Sequence, residues 1–408
     1  MLLRGRGGIV NEMRVKVVKA EYDLRVLKRA ICEAIEDLGI NLQKRRKKRK
    51  ALLKPNIVIP AKPSSAIITH PSVVQAVAEV LLDAGFEEIV VGEGAGLGAD
   101  EAKIFEISRY RKLERENIRL LNLNRAERAE IRWKYGTLSV PKVLLDVDFY
   151  VNLPKMKTHG NTTVTLSIKN QKGLLKNADK KRFHKLGLHE PLAALARAIQ
   201  PDLIVVDAVE CMEGEGPLNG KKKKVGALVV GTNLVAVDVA CCEIMGIEWR
   251  KVEHIKLALR AFGLNEANYE PEILGSMEEV RTKFKPAGEF GRILHVYSWR
   301  NPYACSMCID AFSLAVKSAV RKPKYWFSFF PKFLYEATFK RIDIIQGLNA
   351  KIPKNHGKII CLGDCTKKIA EKYGFTHVKG CPPRAEDILK ALKNGKNRKN
   401  KRDKGWEK

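Results

Sequence analysis

Short apolar segments alternate with helix-like segments over much of the chain, and this alternation limits the fold more than any other feature. Ala51–Leu53, Glu87–Val91, Val143–Asn152 and Leu203–Val209 have the composition of buried strands. Pro71 begins a segment with helical spacing that ends at Gly85, the usual placement of proline and glycine at helix ends. Strands that alternate with helices of about ten residues predict a parallel sheet. We therefore predict an α/β fold with a doubly wound, mostly parallel sheet and a smaller C-terminal α/β domain that contains cysteines.

The length of the chain predicts several parts rather than one compact core. With 408 residues, the chain exceeds what a single hydrophobic core usually covers. We predict five parts: a loose N-terminal extension (1–12), an α/β core domain (13–250), a helical connector (251–300), a cysteine region (301–393) and a disordered basic tail (394–408). The sequence has no run of about eighteen apolar residues and no secretory signal, so we expect a cytoplasmic protein without a transmembrane segment.

The chain is strongly basic, with 75 lysines and arginines against 46 acidic residues and a formal net charge of +29. Such an excess favours anionic partners, including nucleic acid. Much of it lies in runs that are typical of solvated loops and chain ends: Gln43–Lys50, Lys176–Lys185, Lys221–Lys224 and the tail after Lys393. Nucleic acid is therefore an alternative partner and not the favoured one.

The sequence contains only five glutamines but many lysines and glutamates, a composition that is typical of a thermophile.

Five of the nine cysteines lie in the C-terminal region. In a cytoplasmic protein, such cysteines are more often metal-bound or catalytic than paired. Cys365 and Cys381 each follow a predicted strand and precede a predicted helix, so both should lie at the carboxyl edge of a parallel sheet. With the CxxC pair Cys305 and Cys308, they would supply four thiolates to an iron–sulfur cluster, most simply 4Fe-4S. Zinc is the main alternative and unrelated thiols are the third, while Cys361 is expected to pack within its strand.

Polar side chains follow several of the predicted strands. Open α/β sheets bind ligands at the carboxyl ends of their strands, so these side chains predict a site for a small ligand with a phosphate or carboxylate group. The predicted ligand-binding residues are Lys54, Asn56, Glu93, Lys169 and Asn170. The predicted catalytic residues are Lys155, Lys157, His159, Asp207 and Glu213. Each lysine alone is more typical of a solvated surface charge. The loop after Asp207, which contains Glu210, Glu213 and Glu215, equally fits an ordinary acidic turn.

One further segment, Tyr325–Tyr335, is both aromatic and basic. This composition fits a helix that lies on a membrane surface. A core or inter-domain helix is the commoner explanation, and Pro331 interrupts the period of the segment.

Several motifs resemble those of the domain of unknown function 362 family, in the same order and from about residue 50 to 245. They are Leu53-Lys54-Pro55-Asn56, Thr69-His70-Pro71, Gly92-Glu93-Gly94, Leu153–His159, Leu166–Asn170, Met212–Pro217 and Ala236-Val237-Asp238. The resemblance implies a prokaryotic, often archaeal protein whose relatives often carry ferredoxin-type cluster domains. It implies no particular reaction. The ferredoxin CxxCxxC pattern is absent from this sequence, so any cluster must be held differently.

Taken together, the sequence predicts an iron–sulfur protein of redox type that binds a small anionic ligand and exchanges electrons with a partner protein. Two alternatives remain open. One is a nucleic-acid-binding protein with a structural metal site. The other is a zinc-stabilised scaffold without chemistry of its own.

Overall fold

The computed structural model describes residues 13–42, 49–287, 295–299, 303–304, 306–327 and 329–394. The predicted N-terminal extension, most of the first basic run, Cys305 and nearly all of the basic tail lie outside these ranges. The chain forms two compact units. Residues 1–183 and 189–285 belong to the first unit, and residues 184–188 and 286–408 belong to the second.

The first unit is built on a ten-stranded, mostly parallel sheet, which confirms the predicted α/β class. The strand order is β12-β1-β11-β10-β7-β2-β3-β4, with β8 beside β10, β9 beside β8, and β5 and β6 as a separate hairpin. The strands are β1 (Arg14–Lys19), β2 (Arg49–Pro55), β3 (Phe86–Glu93), β4 (Ile118–Asn122), β5 (Arg128–Trp133), β6 (Gly136–Pro141), β7 (Phe149–Leu153), β8 (Lys155–His159), β9 (Thr163–Thr165), β10 (Leu203–Glu213), β11 (Lys221–Gly231) and β12 (Glu272–Gly275). From β10 through β7, β2 and β3 to β4, all neighbours are parallel.

Helices cover this sheet and bury its apolar side chains. They are α1 (Leu24–Asp37), α2 (Pro71–Asp83), α3 (Ile104–Ile107), α4 (Val143–Asp146), α5 (Ser167–Asn170), α6 (Asn177–Lys185), α7 (His189–Ala198), α8 (Leu234–Ile244), α9 (Glu253–Ala261) and α10 (Met277–Val280). Helix α1 begins where the Asp23 side chain accepts hydrogen bonds from the N–H groups of Arg25 and Val26. Helix α2 begins with Pro71 and packs Val73, Val77 and Leu81 into the core. Residues 253–285, interpreted from sequence as a connector, contribute α9, α10 and β12 to this unit.

Two local predictions were wrong. The apolar segment 143–152 was predicted as one strand, but it forms the short helix α4 before β7 begins. The carbonyl of Lys142 accepts hydrogen bonds from the N–H groups of Leu145 and Asp146, so this turn satisfies its own backbone. The basic run at 221–224 was expected in a loop but lies in β11, where it pairs antiparallel with residues 210–213 of β10. Glu210 and Glu213 of β10 lie across from this run and reduce the repulsion among its four lysines.

The second unit contains a smaller sheet in which all four strands are parallel, in the order β13-β14-β15-β16. Its elements are β13 (Val296–Trp299), α11 (Ser306–Arg321), α12 (Phe330–Phe339), β14 (Ile342–Gln346), β15 (Lys358–Leu362), α13 (Lys367–Tyr373), β16 (Thr376–Val378) and α14 (Ala385–Asn394). Phe312, Phe333, Ile344, Ile360 and Ile388 lie in its core. Among the helices in the described ranges, none combines the length and apolar composition needed to cross a bilayer.

Candidate functional site

The order of strands in the first unit reverses between β2 and β7. From β2 the chain continues to β3 and β4 on one side, whereas β7 and β10 lie on the other side. Ligand sites in open α/β sheets typically lie beside such a reversal, at the carboxyl ends of the strands. There, Lys54 of β2 pairs in register with Asn152 of β7, and Asp207 of β10 with Lys155 of β8. This edge of the sheet is the candidate site.

Four of the five predicted ligand-binding residues form one buried cluster at this edge. The Nζ atom of Lys54 donates to Glu93 Oε2 at 3.1 Å, to Asn170 Oδ1 at 3.1 Å and to the carbonyl of Pro55 at 2.8 Å. Asn56 Nδ2 also donates to Asn170 Oδ1, at 3.1 Å. Burial lowers the pKa of Lys54, and the carboxylate of Glu93 opposes that change. The residues therefore form a hydrogen-bonded ion pair that is closed to solvent.

A glycine makes room for this ion pair. A Cβ atom on Gly173 would lie 2.3 Å from Glu93 Oε1 and 2.5 Å from Lys54 Nζ. Asn170, at the end of α5, also donates to the carbonyl of Lys54 at 3.2 Å and to Asn152 Oδ1 at 2.8 Å. The turn at 171–174 therefore packs its backbone directly against the buried charges.

A second buried lysine, Lys180 of α6, lies beside the cluster. Its Nζ atom donates to the carbonyls of Gly94 and Ala95 at 2.9 and 2.8 Å, and to Asn124 Oδ1 at 2.8 Å. Burial lowers the pKa of Lys180 to about 7; Glu93 opposes this change, while the nearby charges of Lys54 and Lys172 reinforce it. Lys180 was not predicted as a site residue, because it lies in a basic run that is typical of a solvated surface.

A second ion pair, between Lys155 and Asp207, lies on the other side of the strand reversal. The Nζ atom of Lys155 is 2.8 Å from Asp207 Oδ2 and donates to the hydroxyl of Tyr22 at 2.7 Å. That hydroxyl donates to Asp207 Oδ1 at 3.0 Å, and the N–H group of His70 donates to Asp207 Oδ2 at 2.8 Å. Lys155 and Asp207 have no exposed surface, whereas Tyr22 and His70 are half-buried.

Tyr22 and His70 form a stacked pair over this ion pair, with ring centroids 3.8 Å apart and ring planes 14° apart. Burial raises the pKa of Tyr22, and the negative charge of Asp207 raises it further. Burial lowers the pKa of His70. Both rings are therefore neutral near pH 7. Neither residue was predicted as part of the site, although the position of His70 before Pro71 could have indicated a helix cap.

The remaining predicted residues of the first unit have other contacts. Lys157 Nζ donates to the carbonyl of Ile67 at 2.5 Å. The Nδ1 atom of His159 accepts a hydrogen bond from the N–H of Asn161 at 3.0 Å, which stabilises a turn. Glu213 pairs with Lys223 at 3.3 Å in the ribbon formed by β10 and β11. Lys169 is half-buried near His254, whose pKa is lowered by burial and also by the charges of His189 and Lys169.

In the second unit, two of the predicted cysteine ligands meet around Gly363, directly after β15. A Cβ atom on Gly363 would lie 2.9 Å from Cys308 Sγ, 3.7 Å from Cys365 Sγ and 3.4 Å from the carbonyl of Gly380. The N–H of Gly380 donates to Asp364 Oδ1 at 2.8 Å, which joins the loop after β16 to the loop after β15. Both sulfurs therefore lie close to Gly363, at the carboxyl edge of the second sheet.

The other cysteines of this region differ in exposure. Cys381 is exposed and follows Gly380 in the loop after β16. Cys361 is buried within β15; burial raises the pKa of its thiol to about 12, with a further contribution from Cys365. Among the described residues, no three histidine, cysteine, aspartate or glutamate side chains form a group that could hold a metal ion. Cys305, the fourth predicted ligand, lies outside the described residues.

Comparison with known proteins gives one related protein, one similar structure and one family model. The chain is 28% identical over 205 residues to the thylakoid-associated protein sll1697 of Synechocystis sp., a match that covers 49% of this chain and 64% of that protein. The lactate racemase apoprotein from Thermoanaerobacterium thermosaccharolyticum superposes with a TM-score of 0.38 and 14% identity over 59% of each chain. The family model described as domain of unknown function (DUF362) matches residues 51–243, which include both buried ion pairs. This match supports the resemblance to the DUF362 family that the sequence motifs predicted.

Proposed function

We propose that this chain is an iron–sulfur protein of redox type and that its second unit holds the cluster. The main support is the position of Gly363, where Cys308 Sγ and Cys365 Sγ both lie within 4 Å of the place a Cβ atom would occupy. Cys305, Cys308, Cys365 and Cys381 would hold the cluster. Thiolates are the usual ligands of such clusters, which transfer single electrons when bound.

The surroundings of these cysteines suit thiolates. Cys308 lies in the first turn of α11, a sixteen-residue helix. The N–H groups of the first turn and the positive end of the helix dipole favour an anionic sulfur at that position. Gly363 leaves the space between Cys308 and Cys365 clear, and a side chain there would collide with the sulfur of Cys308. The donor set therefore fits a thiolate-bound centre.

Anaerobic purification tests the cluster. We expect a coloured protein that contains iron and acid-labile sulfide. The variants Cys365→Ala and Cys381→Ala should each lose most of the iron and the colour, because each removes a ligand. Two matched controls, Cys361→Ala in the buried part of β15 and Cys32→Ala in α1, should retain both. A colourless protein with one zinc and no sulfide would support the zinc-stabilised scaffold instead. Unchanged iron in both ligand variants would contradict this set of cysteines.

We further propose that the first unit binds a small ligand with a phosphate or carboxylate group beside the Lys54–Glu93 pair. Support comes from the local charge, since the positive charges of Lys54 and Lys172 both act on Lys180 near Glu93. In addition, Asn56 Oδ1 is buried without a hydrogen-bond partner among the described residues, which leaves one polar position open for a ligand. A bound anion would stabilise the charged form of Lys180 and so offset the cost of its burial.

Calorimetric titration with sulfate and oxalate, whose charges do not change near neutral pH, tests this proposal. Because burial lowers the pKa of Lys180 to about 7, the lysine is charged below that pH and neutral above it. Affinity should therefore be highest below pH 7 and fall as the pH rises, by up to about tenfold per unit. Lys180→Met should weaken binding by on the order of tenfold and remove the pH dependence, while the exposed neighbour variant Lys181→Met should match the parent. Equal affinity for the parent and Lys180→Met would contradict the proposal.

A further inference from the structure

Helix α12 and the turn before it carry an unusual set of exposed aromatic side chains in the second unit. Phe327 is 93% exposed, Phe339 is 74% exposed, and Trp326 and Tyr335 are each 55% exposed. From its sequence, this segment was interpreted as a core or inter-domain helix in preference to a helix on a membrane surface. We call Trp326, Phe327, Leu334, Tyr335 and Phe339 the aromatic face.

The opposite side of α12 already supplies the core of its unit. Phe333 and Ala337 are buried there, and Phe333 stacks on Phe329 with ring centroids 5.2 Å apart. The helix is therefore apolar on its outer side as well as its inner side. A helix that is apolar on both sides normally has both sides covered, and large exposed apolar patches usually mark a binding surface.

The charges around the aromatic face have one sign. Residues 314–340 contain six lysines and arginines but a single acidic residue, Glu336. That carboxylate pairs with Lys358 at 2.9 Å, and both side chains are largely buried. Lys322, Lys332 and Lys340 are exposed, and Lys340 Nζ lies 5.5 Å from the centre of the Tyr335 ring. The surface that α12 presents is therefore apolar and cationic.

We propose that the aromatic face docks on the surface of a lipid bilayer that contains anionic lipid. The rings would enter the headgroup region, and the lysines would extend their charged ends to the lipid phosphates. Single-stranded nucleic acid also binds aromatic and basic surfaces, but it needs ring faces on which bases can stack. The Tyr335 ring already packs against Phe339, with centroids 5.4 Å apart, and against Lys340. Leu334 is also exposed. Its aliphatic side chain can bury apolar surface in lipid but offers no ring on which a base could stack.

Co-sedimentation of the full chain with vesicles tests the proposal. We expect binding to vesicles of phosphatidylcholine with about one third phosphatidylglycerol, at least about tenfold stronger than to phosphatidylcholine alone. The double variant Phe327→Ser and Phe339→Ser should lower the affinity by on the order of tenfold or more. Lys332→Gln with Lys340→Gln should lower it several-fold and reduce its dependence on salt. The control Ile107→Ser, which changes a 38% exposed apolar residue of the first unit, should have no effect.

Three results would overturn the proposal. The first is equal binding of neutral and anionic vesicles by the parent protein, or no binding to either. The second is unchanged vesicle affinity in the double phenylalanine variant. The third is a parent protein that is dimeric without binding vesicles and becomes monomeric in that variant, which would show the aromatic face to be a contact between copies of the chain. Far-UV circular dichroism of each variant would verify that α12 remains folded.

Discussion

Replacement of Lys155 by methionine should lower the free energy of unfolding of the first unit by about 3–5 kcal/mol. The substitution leaves Asp207, which has no exposed surface, as a buried carboxylate without its ammonium partner 2.8 Å away. Tyr22 would lose its hydrogen bond from Lys155 at the same time. Urea titration followed by far-UV circular dichroism would measure the change, with the slope of the transition used to verify that the unfolding reaction is the same.

Two further variants test whether the loss of stability comes from the buried ion pair or would follow from the loss of any lysine. Lys222 lies 3.7 Å from Glu210 in a solvent-exposed pair, so Lys222→Met should cost no more than about 0.5 kcal/mol. The double variant Lys155→Met with Asp207→Leu removes both charges and should recover a large part of the stability that Lys155→Met loses. If Lys155→Met and Lys222→Met had the same small effect, the buried pair would have no role in stability.

Gly173→Ala should destabilise the first unit by about 2–3 kcal/mol, because the new methyl group has no space. It would lie 2.3 Å from Glu93 Oε1 and 2.5 Å from Lys54 Nζ, and both side chains are buried with little freedom to move away. Displacing them would also break the ion pair, whose Nζ and Oε1 atoms are 3.0 Å apart.

A second glycine provides the matched control. A Cβ atom on Gly160 would meet no atom within 4 Å. Gly160→Ala should therefore be neutral or stabilise by up to about 1 kcal/mol, because alanine restricts the unfolded chain. Chemical denaturation of the two variants side by side gives the comparison. Equal stability of Gly173→Ala and the parent would show that the turn at 171–174 can move away from the ion pair.

Much of the candidate site in the first unit followed from the sequence, since polar residues at the ends of parallel strands must lie along one edge of the sheet. That reasoning located Lys54, Glu93, Lys155 and Asp207. It could not tell which of them are partners, because the order of strands depends on long-range packing. Lys180 carried no local signal, since a buried lysine and a surface lysine look alike within a basic run.

The cysteine region shows the same limit. The strand–loop–helix pattern around Cys365 and Cys381 predicted that both lie at the carboxyl edge of a parallel sheet, and each follows a strand of that sheet. The sequence could not show that the sulfurs of Cys308 and Cys365 both approach Gly363, because that approach depends on the tertiary packing of α11. The sequence also could not predict the role of Gly363. Its close approach to two sulfurs arises only when segments that are distant in sequence come together in the fold.

The antiparallel ribbon of β10 and β11 affects the electrostatic field of the chain. Lys222 and Lys223 form ion pairs with Glu210 and Glu213, and every lysine of the run lies opposite residues 210–213. Opposite charges at such short range act as dipoles, whose potential decays faster with distance than that of a single charge. Because four lysines face two glutamates, the ribbon contributes a net charge of about +2 to the long-range field instead of the +4 that the lysines alone would give. Neutralising all four lysines would leave the two glutamates as a negative strip.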